Sequence, residues 1–169
     1  VVFLNGIAIF TFELKCNTSG QNYEDAIRQY KYERDPKTRL LKFKAGCLAH
    51  FAMDLNEVYM CTNLKGKSSF FLPFNKGRGE GINAGKGNPH NPDGINVSYM
   101  WEDILKKDTV LYLIDKIIFL QKETKKNPDT GKRETKETLI FPRYHQFNAV
   151  RKLVADVVEN HSEKNYLIQ

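Results

Sequence analysis

Cysteine is scarce and poorly placed for pairing. The three present, Cys16, Cys47 and Cys61, are odd in number and have no Cys-x-x-Cys spacing, which argues against both a disulfide framework and a zinc ribbon. A reducing cytoplasm is the expected compartment. No apolar run approaches the ~18 to 20 residues that a membrane span needs, and the opening Val1-Val-Phe-Leu-Asn-Gly6 lacks the charged n-region of a signal peptide. No membrane association is expected. His50, His90, His145 and His161 are scattered without ligand spacing, so they do not suggest a metal centre. Gly77-Arg-Gly-Glu-Gly81 does not match a dinucleotide fingerprint. No internal repeat is visible.

What the chain does have is a modest excess of positive charge: 26 Lys and Arg against 20 Asp and Glu, a net +6 over 169 residues. That length buries a real core without covalent staples, and the charge favours a polyanionic partner such as nucleic acid. Two β-rich runs, Val1 to Leu4 and Ile7 to Lys15, flank Asn5-Gly6, which is the strongest short hairpin signal. Alternation puts Ala8, Phe10, Phe12 and Leu14 on one face of the second run. Ile7, Ile9, Thr11, Glu13 and Lys15 fall on the other.

Tyr23, Ala26, Ile27 and Tyr30 then follow helical spacing, with Asn22 a plausible N-cap and Asp35-Pro36 a stop. Strand-like runs follow at Leu40 to Phe43, Gly46 to Met53, Val58 to Asn63 and Ser68 to Phe74. The order hairpin, helix, strands predicts an α/β sheet. Residues 75–97 are rich in Gly, Asn and Pro and predict a long loop. Helical patterns span Tyr99 to Lys107 and Thr109 to Leu120, and a charged excursion with a turn at Asn127-Pro-Asp-Thr-Gly131 covers Gln121 to Glu137. Its Lys and Arg residues are interleaved with Glu123, Glu134 and Glu137, which reads as a solvated hairpin. Pro142 begins an amphipathic helix carrying Phe147, Val150, Leu153, Val154, Val157 and Val158.

Glu13-Leu14-Lys15 is the central motif. On a strand it sets a carboxylate beside an ammonium, a pair suited to phosphodiester hydrolysis: the carboxylate to hold a divalent cation, the lysine to position water or offset charge. Taken alone, the same tripeptide describes a solvated strand face. A hard cation such as Mg²⁺ wants several oxygens, and none besides Glu13 is obvious within the first hairpin. With a strict two-residue turn, the position two before Val1 faces the Phe12 side. One extra residue bulged near Gly6 brings that position to Glu13, and the expectation is an Asp there with a bulged turn.

The run Val1 to Lys15 resembles the nuclease signature of type I restriction R subunits, in which an Asp, a short spacer, Asn-Gly and Glu-Leu-Lys form a PD-(D/E)xK site. Glu24-Asp-Ala-Ile-Arg-Gln-Tyr-Lys31, Lys65 to Gly77, Gly87-Asn-Pro89 and Phe141-Pro-Arg-Tyr-His-Gln146 resemble the same subunits. The resemblance implies Glu13 and Lys15 as catalytic residues, Glu13 as a metal ligand, and an acid lying outside the chain. Where relatives place a Gln near the active site this sequence has Ala26, leaving Gln29 and Tyr30 as the nearest supporting residues; helix packing is the plain reading of Tyr30. Arg143, Tyr144 and Gln146 resemble an adenine-recognition stretch, since one amide both donates to and accepts from a base edge, and Tyr166-Leu-Ile-Gln169 resembles the strand that leads to a phosphate loop.

The expected architecture is therefore a restriction-endonuclease-like mixed α/β sheet flanked by helices, followed by the start of a helicase-like motor: nuclease over 1–120, a charged linker or hairpin over 121–140, and the first translocase elements over 141–169. The resemblance implies duplex DNA, methylation and specificity subunits as partners, Mg²⁺ and ATP as cofactors, and no ATP hydrolysis by this stretch alone. A stand-alone nuclease of a repair or phage system and a non-catalytic DNA-binding module are the competing readings.

Overall fold

A computed structural model of the chain describes residues 1–79, 81–82, 84–126, 131–160 and 165–166. Five strands form a mixed sheet in the order β1 (Val2–Leu4), β2 (Ile7–Leu14), β3 (Ala49–Met53), β4 (Val58–Cys61) and β5 (Leu72–Pro73). Only the β2/β3 pair is parallel. Its connection runs through α1 (Tyr23–Tyr32) and an irregular stretch, as a parallel pair requires a crossover. β3 is buried along its whole length, because both faces of this central strand are covered. β5 is short and ends on Pro73, a residue suited to an edge because it has no N–H for a further ladder.

On one face Phe10, Phe51, Phe74 and Phe141 meet edge-on, with ring centroids 5.6 to 6.0 Å apart, a favoured aromatic geometry. Val97, Met100, Ile104 and Leu113 complete this core. On the opposite face α1 lays Ala26 and Tyr30 against Ala52, Cys61 and Leu64. The small Ala26 and Ala52, both fully buried, allow this close approach. α1 begins with a complete capping box: Asn22 accepts from the Glu24 and Asp25 amides while Asp25 accepts from the Asn22 amide, which stabilises the helix by about 1 kcal/mol.

The first turn has the expected two residues, Asn5 and Gly6, both at positive φ, as a tight hairpin with strand-matching twist demands. The expected extra residue is present but displaced into the strand. Leu4 pairs with Ile7 and Phe3 with Ala8, whereas Val2 pairs with Phe10, so the bulge falls at Ile9 rather than at Gly6. Leu40 to Phe43, expected as a strand, forms turns instead. Leu41 is buried against α1 while Gly46 passes under the Leu40 carbonyl, so local packing overrides the apolar and aromatic pattern. Of the run Ser68 to Phe74 only Leu72 and Pro73 pair as strand.

The helical stretch after Tyr99 divides into a wide turn at Met100–Ile104, α2 (Lys107–Tyr112) and a second wide turn at Leu113–Ile117. Phe119 already belongs to a two-stranded ribbon, β6 (Phe119–Lys126) with β7 (Arg133–Ile140). The predicted turn at its tip lies outside the described residues apart from Gly131. α3 (Tyr144–Asn160) follows, and Phe141 and Phe147 are buried in the same core as Phe10 and Phe51. No helicase-like domain is evident among the described residues, and Leu167 to Gln169 lie outside them. Among the described residues no helix is long and apolar enough to cross a membrane.

Candidate functional site

Glu13 sits near the end of β2, and the bulge at Ile9 sets which way this end faces. Thr11, two residues earlier, is buried and shares its hydroxyl between Tyr30 Oη and His50 Nδ1, each at 2.8 Å. That places Thr11 under α1, and pleat alternation carries Glu13 to the same side. Burial raises the Tyr30 phenol far above its ordinary value and lowers His50 to about 4, so both are neutral near pH 7. Tyr30 is therefore an uncharged hydrogen-bonding post beneath the site.

Glu13 is only 17% exposed and receives Arg34 Nε at 2.6 Å. Arg34 follows α1, and the pairing raises its own pKa further. Sequence reasoning missed it. The signal was there, since Arg34 continues the stripe of Ala26 and Tyr30 by one more four-residue step. Around the pair opens a hollow of about 450 Å³ lined by Thr11, Glu13, Tyr30, Arg34, Arg39 and Leu41, among others.

Lys15 lies one residue beyond the strand, with its amide donating to the Met53 carbonyl at 2.9 Å. It borders a different, apolar hollow of about 400 Å³ with Phe12, Leu14, Met53 and Trp101. No side chain among the described residues hydrogen-bonds or ion-pairs with it. Gln29 is half-buried on α1 and does not line the Glu13 hollow. The structure thus brings Glu13 and Tyr30 together, leaves Lys15 at the rim of the neighbouring hollow, and adds Arg34 and Arg39.

Asp54, the carboxylate that directly follows β3, is committed elsewhere. One oxygen accepts from the Asn56 and Glu57 amides at 2.7 and 2.9 Å, the other from the Tyr23 amide and Asn17 Nδ2 at 3.0 and 3.2 Å. Four donors fill the lone pairs a carboxylate offers. Among the described residues no group of three or more His, Cys, Asp or Glu is placed to hold a metal, and Mg²⁺ requires several oxygens. The described residues therefore offer no more than a single candidate oxygen donor here, Glu13, and do not complete a magnesium site.

Of the adenine-recognition candidates, Gln146 Oε1 accepts from the Arg143 amide at 2.9 Å, the reciprocal half of a capping box on α3. Tyr144 packs edge-on to Tyr99 at 5.1 Å and Phe74 at 5.9 Å, and its burial raises its pKa. Arg143 borders a polar hollow of about 300 Å³ with Glu57, Asn75 and the stacked Tyr23 and Tyr59 rings.

Fold and site define a mixed α/β domain that presents a strand-borne, half-buried carboxylate in an arginine-lined groove. The family model described as Type I restriction enzyme R protein N terminus matches residues 1–69. The matched stretch holds β1 to β4, α1, Glu13, Lys15, Tyr30 and Arg34. No curated protein and no solved structure matches the chain.

Proposed function

We propose that this chain contributes the DNA-cleaving part of a type I restriction R subunit. The observation that carries the reading is Glu13, held half-buried beside two arginines within the stretch that matches the R-protein N terminus. In this proposal Glu13 would be one ligand of a Mg²⁺ ion whose other ligands the residues described do not supply, and the ion would contribute Lewis acidity and a polarised water. Lys15 turns toward the phosphate and offsets charge as it develops. Tyr30 positions Thr11 and so the strand beneath Glu13, while Gln29 lies within reach of incoming DNA.

Duplex DNA is the substrate, and methylation and specificity subunits complete a cytoplasmic complex in which ATP drives translocation. Arg143, Tyr144 and Gln146 recognise adenine once Gln146 releases the Arg143 amide. The test is nicking of supercoiled plasmid by the full-length gene product with Mg²⁺, alone and in the presence of its partner subunits. Glu13→Ala and Lys15→Ala should each reduce cleavage by about a hundredfold or more; unchanged cleavage in both variants removes the assignment. The tight Glu13–Arg34 pair favours a second reading, a module that binds DNA without cutting it, and DNA binding with no Glu13-dependent nicking would select that reading.

A further inference from the structure

Arg34 engages Glu13 through Nε alone, so its two terminal nitrogens have no partner among the described residues. The side chain stays 46% exposed on the hollow that Arg39 also lines, and Arg39 likewise has no side-chain partner among the described residues. Besides these, the one charged side chain in the lining is Glu13; the others belong to Val1, Thr11, Tyr30, Thr38 and apolar neighbours. Its side chains thus carry two positive charges against one negative. A guanidinium presents five N–H donors in a planar fork, and such a fork matches two phosphate oxygens side by side.

We infer that the hollow between the end of β2 and the loop after α1 is a phosphodiester-binding subsite in which Arg34 and Arg39 take the DNA backbone and Glu13 restrains Arg34 until a phosphate competes for it. The inference rests on the DNA-handling reading above and adds its recognition element. Carboxylate and phosphate are rival acceptors for one guanidinium. The arriving phosphate therefore draws Arg34 away from the carboxylate, and the Glu13–Arg34 pair opposes binding by the amount it must give up. The loop holding Arg39 is fixed in position by Cys47 N–H donating to the Leu40 carbonyl at 2.8 Å and Gly46 N–H to the Lys42 carbonyl at 2.7 Å, so the second arginine stands on ordered backbone.

Binding of fluorescein-labelled duplex DNA, followed by anisotropy in EDTA so that neither metal nor cleavage contributes, tests this directly. Arg34→Ala and Arg39→Ala should each weaken binding about three- to tenfold, and Arg34→Lys, which keeps the charge but loses the fork, should fall between wild type and Arg34→Ala. Glu13→Gln should tighten binding several-fold, and that gain should be clearly smaller in the Arg34→Ala background, because part of it comes from releasing Arg34. An equal Glu13→Gln gain in both backgrounds, or wild-type affinity in Arg34→Lys and Arg39→Ala, overturns the subsite. The cycle intact in a protein that never nicks plasmid would refute cleavage and leave the subsite standing. Glu13-dependent nicking without the cycle would do the reverse.

Discussion

Acidification from about pH 7 to about pH 5 should weaken the fold through His50. The imidazole is 1% exposed, hydrogen-bonded to Thr11 at 2.8 Å, and lowered by burial from 6.5 to about 4. Above 6.5 it is neutral in both the folded and unfolded chain and costs nothing. Below 6.5 the unfolded chain takes up a proton that the folded one refuses until about 4, so stability drains as the pH falls through that window. One pH unit is worth about 1.4 kcal/mol, so the loss reaches about 2 kcal/mol at pH 5 and about 3 kcal/mol below pH 4. Against a total stability of about 5 to 15 kcal/mol for an ordinary domain, that is a readily measured fraction.

Urea unfolding at the two pH values reads it, with His50→Asn as the reference. Asparagine keeps a hydrogen-bonding atom near the Nδ1 position but does not titrate, and every carboxylate contribution is common to both proteins and cancels in the difference. The variant starts less stable and should lose about 2 kcal/mol less than wild type over the same interval. Parallel losses in the two proteins would show that His50 is not held neutral, and would refute the buried Thr11–Tyr30–His50 network as the floor of the site.

Two further outcomes follow from the same region. A Cβ at Gly46 would lie 2.4 Å from the Leu40 carbonyl oxygen and 2.7 Å from that of Arg39, so Gly46→Ala must displace backbone; calorimetry should show a loss of about 1 to 3 kcal/mol, with DNA affinity falling as the Arg39 segment shifts. Tyr30→Phe removes one of the two hydrogen bonds to the buried Thr11 hydroxyl and should cost about 1 kcal/mol by denaturant titration while leaving the metal-free Glu13→Gln/Arg34→Ala cycle unchanged, because the Tyr30 hydroxyl bonds Thr11 and not Arg34.

Legible in the residues alone were the hairpin at Asn5-Gly6, the capped helix from Tyr23, the strands at Ala49–Met53 and Val58–Cys61, and the helix after Pro142. Each is written in local terms: a turn dipeptide that tolerates positive φ, an N-cap with its reciprocal Asp25, and apolar residues at a fixed period. The sequence also marked Glu13 and Lys15, because a short motif is legible wherever it stands. Tertiary structure alone decided that Glu13 answers to Arg34, that Lys15 borders another hollow, that Asp54 is filled by four donors, and that Leu40 to Phe43 folds as turns. These depend on which side chain arrives from elsewhere in the chain. A bulge at Ile9 rotates every later residue of β2, and a glycine at position 46 lets backbone pass where a strand was expected; neither has a local signature, since both are settled by competition among packed neighbours.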